Sequence, residues 1–152
     1  MSLKQSKRIY LIKRFSVIFI ILFIASILQF YWSMGHLSEN MSSACLDCWF
    51  GEEVFYQSLL TSLFLGLIFI IIPQKLNKII RIVLQFLLLV PIWFFWNYTI
   101  FVDRESSWST FLFDEEISYV LYYSALPILV LSFLSVFLIN VKDFKLIKNK
   151  LN

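Results

Sequence analysis

The chain has 152 residues and a formal charge of +3, and 60% of its residues are hydrophobic and 19% aromatic. Soluble domains are about 45–50% apolar, so this composition excludes an ordinary water-soluble fold and requires lipid as solvent. The length holds one small domain, and the basic residues are split among short segments beside apolar runs, which excludes a nucleic-acid-binding patch.

Lys4, Lys7, Arg8, Lys13 and Arg14 precede the first apolar run, residues 15–32, which carries no charge. A hydrocarbon core of about 30 Å needs roughly 20 helical residues, so this run predicts a first membrane span. A basic leader before an apolar stretch is also the pattern of a signal peptide. The stretch is long for one and no A-x-A site follows, so an uncleaved anchor is expected. Gln29 falls near its far end.

The first loop, about 33–53, holds His36, Glu39, Asp47, Glu52 and Glu53, together with both cysteines of the chain in one CxxC, Cys45-Leu-Asp-Cys48. Three readings of that pair are open. It is a small structural disulfide in an oxidising compartment, a redox pair, or part of a metal site with His36 as third ligand.

Residues 54–73 predict the second span. Ser58, Ser62 and Gly66 follow one another at four-residue spacing, a small-residue stripe that lets helix backbones approach closely. Gln57 lies near the start of this span, where it can meet Gln29. A short 74–78 turn with Lys75 and Lys78 leads to the third span, 79–96. Arg81 is near enough to its end to snorkel. Gln85 lies further in, and Pro91 is expected to kink the helix.

The second loop, about 97–116, contains Asp103, Arg104, Glu105, Trp108, Phe111, Asp114, Glu115 and Glu116. Its aromatic and acidic mixture predicts a partner-facing surface centred on Trp108, Phe111, Asp114, Glu115 and Glu116. The acids also suit the N-terminus of the next helix. Asn40-Met-Ser42 and Asn97-Tyr-Thr99 match the N-glycosylation pattern. The fourth span, 117–140, carries Ser124, Ser132 and Ser135 on roughly one face and Pro127 inside it. Lys142, Lys145, Lys148 and Lys150 follow, with Asp143 as the one acid.

The expected fold is therefore an all-α membrane protein: one integral domain over residues 1–152 with four transmembrane helices. The charges fall into two sets. Every Lys and Arg except Arg104 lies on one side of the spans, and every Asp and Glu except Asp143 on the other. The positive-inside rule then predicts both termini in the cytoplasm and both acidic loops outward, in a bacterial inner membrane. Trp32, Trp49, Trp93, Trp96 and Trp108 all fall at or beyond the outer ends, as in an interfacial aromatic belt.

No ionisable residue lies deep in a span, which argues against ion-coupled transport. The sequence has no catalytic triad, phosphate loop or nucleotide fingerprint. The expected function is non-enzymatic, without a cofactor: binding another membrane or periplasmic protein in the bilayer or at its outer face, as assembly, accessory or immunity proteins do.

In topology the chain also resembles the disulfide bond formation protein B family: four spans, both termini inside, and the Cys45–Cys48 motif shortly before span 2. That resemblance implies a thiol–disulfide redox protein that passes electrons to a membrane quinone. The sequence departs from the family pattern in two ways. Residues 97–116 contain no second cysteine pair, and Glu52 and Glu53 follow the motif where the family has an arginine. Together with Asp47 they oppose the thiolate that redox chemistry needs.

Overall fold

The computed structural model describes residues 3–72 and 76–151, with side-chain environments for residue 9, 11–72 and 76–141. Four α-helices follow in order: α1 (Leu3–Met34), α2 (Phe50–Ile71), α3 (Lys78–Arg104) and α4 (Phe113–Leu151). Short 3-10 turns, Gly35–Leu37 and Ser106–Trp108, lie in the two longer connections. All four helices are long and apolar enough to cross a membrane. The shortest, α2, has 22 residues, about 33 Å at 1.5 Å per residue, which matches the roughly 30 Å of hydrocarbon. The chain is thus a multi-pass membrane protein by length and composition.

The helices reach further than the apolar runs that predict them. Hydropathy marks only the lipid-embedded part, while the backbone hydrogen-bond ladder continues through polar residues until something stops it. Residues 97–104, expected in a loop, are the last two turns of α3, so Asn97, Asp103 and Arg104 are helical. The connections shrink accordingly to 35–49 and 105–112. Pro73, the expected end of the second span, and Lys75 of the 74–78 turn lie outside the described residues. At Asn77 the side-chain oxygen accepts a hydrogen bond from Ile79 N at 3.1 Å and starts α3. Asp114, Glu115 and Glu116 occupy the first turn of α4, and Glu115 Oε2 accepts from Leu112 N at 2.9 Å. Pro91 and Pro127 lie inside α3 and α4, and both helices continue through them.

α1 packs along both α2 and α4, and α4 along α3, while α2 and α3 meet only briefly. The small-residue stripe on α2 is buried along its length at Ser58, Ser62 and Gly66. A Cβ at Gly66 would stand 3.1 Å from the Phe15 ring of α1, so glycine here permits a close helix approach. Phe23 against Phe55 and Tyr31 against Phe50, both edge to face, continue that seam. Outside the bundle, Ile20, Ile24, Leu60, Phe64, Leu87, Leu126 and Phe133 are exposed, as lipid-facing side chains are.

Polar groups stitch the other three helices together. Trp93 Nε1 on α3 donates to Ser26 Oγ on α1 at 2.9 Å. Ser33 Oγ donates to Asn97 Oδ1 at 2.5 Å, and Asn140 Nδ2 on α4 donates to Gln85 Oε1 at 2.7 Å. Trp93 is fully buried, so it belongs to this ladder and not to the aromatic belt expected of it. Arg81, near the start of α3, is likewise buried in the bundle.

Overpacking a tight helix crossing typically costs about 1–3 kcal/mol. Gly66→Leu is expected to lower stability in detergent by that amount, measured as a shift in thermal unfolding. Phe15→Ala in the same chain should recover part of the loss.

Candidate functional site

The acidic residues gather at one end of the bundle, where the 35–49 connection folds over the end of α3. Arg104, in the last turn of α3, organises this end. It is 2% exposed and its Nε lies 2.9 Å from Glu53 Oε2 in the first turn of α2. Its Nη1 donates to Asn40 O at 2.6 Å and its Nη2 approaches Cys48 O at 3.4 Å. The guanidinium carbon lies 5.2 Å from the centre of the Phe50 ring. One cation therefore joins α2, α3 and both ends of the loop.

Its neighbours reinforce the joint. Asp103 Oδ1 accepts from Ser43 Oγ and from Ala44 N, each at 2.8 Å, and Ser43 N donates to Asp103 O at 3.0 Å. Asn40 Nδ2 donates to Glu105 Oε2 at 2.7 Å. Trp108 Nε1 reaches across to Met41 O at 3.0 Å. The loop is thus held through its own backbone as well as through side chains.

Cys45 and Cys48 are joined in a disulfide with Cα atoms 5.3 Å apart. Cys48 N donates to Cys45 O at 3.1 Å, and Cys45 N donates to Ser42 Oγ at 3.0 Å. Cys45 is exposed and Cys48 half-buried. The pair ends immediately before α2, whose N-cap is Trp49. Trp49 itself is 79% exposed, and Met41 and Leu46 are exposed beside it. A cavity of about 580 Å³ adjoins the disulfide, lined by Tyr31, Glu39, Asp47, Cys48, Trp49 and Arg104 among others.

The remaining expected site residues divide into packed and exposed ones. Phe111 packs on Phe101, centroids 5.4 Å apart. Glu116 accepts from Tyr98 OH at 2.7 Å and also from Ser106 Oγ. These two hold the second connection down and do not project from it. Trp108, Asp114 and Glu115 are exposed. His36 is taken up by α4: its Nε2 is 3.0 Å from Tyr119 OH and its ring stacks on Tyr123 at 4.3 Å. The set of His36, Cys45 and Cys48 weighed as metal ligands is not brought together. Among the described residues no group of three His, Cys, Asp or Glu is placed to hold a metal ion.

Gln29 and Gln57 bond within their own helices, Gln29 Nε2 to Ser33 Oγ at 3.1 Å and Gln57 Nε2 to Glu53 Oε1 at 3.0 Å. Asn97 is fully buried and Asn40 is tied to Glu105, so neither glycosylation match presents a free amide.

Arg104 is the residue that sequence reading passes over. Its signal is nonetheless present: it is the lone base on the acidic side of the chain. An isolated cation among carboxylates invites the expectation of a buried pair.

Fold and site together define a small multi-pass membrane protein whose acidic end is a pinned, disulfide-bearing platform. No protein-family model, curated protein or solved structure matches the chain.

Removing one partner of a buried ion pair costs about 3–5 kcal/mol, since the other charge is left without compensation. Arg104→Leu is expected to destabilise the protein by about 3 kcal/mol in denaturant titrations, because Glu53 retains partial exposure. Adding Glu53→Leu should restore part of that loss.

Proposed function

We propose that this is an inner-membrane protein with both termini in the cytoplasm and its acidic end facing outward. It acts without catalysis by binding another protein at that face, in an assembly, accessory or immunity role. The observation that carries this reading is the fixed platform. Arg104, Asp103 and Trp108 tie down the loop backbone, while Met41, Leu46 and Trp49 stay exposed on it. A surface ordered before binding loses little entropy on association, and exposed aromatic anchors are what interfaces use.

A photo-crosslinking residue at Leu46 or Trp108 is expected to give one discrete protein adduct in cells. The same residue at lipid-facing Val130 should give none. Absence of an adduct from both loop positions would sink the partner reading.

Orientation is tested separately. After reduction, a membrane-impermeant maleimide should label Cys45 from the outer side of right-side-out vesicles. Labelling from the cytoplasmic side only would invert the topology.

One observation favours a second reading, thiol–disulfide exchange with quinone as the eventual electron acceptor. Glu53 is turned to Arg104, and the Arg104 guanidinium approaches the Cys48 carbonyl. Of the carboxylates that oppose a thiolate at this CxxC, Glu53 is thereby balanced by a cation, and the pair precedes a helix N-terminus, where thiolates are favoured. Quinone-dependent oxidation of a dithiol by the purified protein, lost in Cys45→Ser/Cys48→Ser, would establish this reading over the first.

A further inference from the structure

We propose that the cavity beside the disulfide receives a basic side chain, Lys or Arg, presented by a protein partner at the acidic end. The inference rests on the partner-binding reading and names the chemistry of the partner. Its starting point is how the acids at this end are used. Glu53, Asp103, Glu105, Glu115 and Glu116 each accept a hydrogen bond from within the chain. Glu39 and Asp47 have no internal hydrogen bond or ion pair among the described residues, and both line the cavity. Carboxylates with no structural task, facing one concave site, are available to a ligand.

The cavity walls suit a cation on an apolar stem. Trp49 and Tyr31, both exposed, supply aromatic rings that attract an ammonium or guanidinium group, while the Phe50 ring is already covered by the Arg104 guanidinium. They also offer apolar surface to the methylenes that carry it. Arg104 lines the same cavity, but its charge is balanced by Glu53 at 2.9 Å and its Nη1 is held by Asn40 O. The charges of Glu39 and Asp47 therefore remain uncompensated. A volume of about 580 Å³ falls within the range of about 300–1,000 Å³ typical of ligand pockets, enough for a long side chain with its adjoining backbone.

The wider charge pattern selects a protein as the source. Both connections at this end are acidic, with Arg104 the one base between them. Such a field favours a basic protein surface and steers its approach. An ethanolamine headgroup offers the same ammonium, but it carries a phosphate that Glu39 and Asp47 repel.

The test uses the full chain in an uncharged detergent, titrated calorimetrically with a tetralysine peptide. Saturable binding that weakens with added salt is expected, and tetraglutamate should not bind. Glu39→Gln/Asp47→Asn should weaken tetralysine at least about fivefold, as the loss of two direct charge contacts implies. Glu52→Gln/Asp114→Asn removes the same charge away from the cavity lining and should change affinity less than about twofold.

Equal weakening by the two double variants would show a diffuse field and overturn the proposal. So would failure of the wild-type chain to bind tetralysine. Displacement of the peptide by phosphorylethanolamine more effectively than by N-acetyl-lysinamide would reassign the cavity to a lipid headgroup. If the Leu46 crosslink still captures a protein while the double variants behave alike, this inference falls and the partner reading stands. If no crosslink forms, both fall.

Discussion

A guanidinium at the end of α3, removed from water, sets the constraint on which the acidic end depends. Burying such a charge is costly unless it is paired and its donors are met. Arg104 meets that requirement with Glu53 of α2 and with backbone carbonyls at Asn40 and Cys48. These partners run along the α1–α2 loop into the first turn of α2, so satisfying one cation fixes the start of α2, the end of α3 and the path of that loop. The disulfide then closes a short turn inside a loop whose course is already determined.

Below that layer, the bundle is held by a second kind of polar contact. In lipid the apolar faces of helices gain little by meeting each other, so packing and interhelical hydrogen bonds carry the association. Ser26 with Trp93, Ser33 with Asn97, and Gln85 with Asn140 link α1, α3 and α4. α2 relies on close approach instead, through Gly66 against Phe15 and edge-to-face aromatic contacts with α1. It joins the polar framework at its first turn through Glu53. The acidic end is therefore part of how α2 is seated, and the surface there inherits the rigidity of the bundle.

Much of the architecture was legible in the chain. Apolar runs of about 18–24 residues locate the four helices because a bilayer imposes both length and polarity. The stripe of Ser58, Ser62 and Gly66 marked the buried face of α2 because close approach needs small residues at helical spacing. What hydropathy could not supply was where each helix ends. Asn97 and Arg104 read as loop residues by polarity and are helical because the ladder continues into them. Trp93 read as an interfacial aromatic by its position, yet its indole N–H finds Ser26 and the ring is buried. For the site, CxxC and the acids were visible. Which acids are engaged and which are free was not, since Glu53 and Arg104 lie far apart in sequence.

The need for a membrane, the four spans and the segregation of charge are all written in the order of residues along the chain. These follow from composition and spacing, which local chemistry dictates. It takes the folded bundle to make Arg104 the hub of the acidic end, to turn His36 to Tyr119 and Tyr123 and away from the cysteines, and to set Glu39 and Asp47 on a cavity beside the disulfide. Those outcomes depend on which helix ends come together in space. That choice is made by packing and by the need to satisfy buried polar groups across long sequence separations.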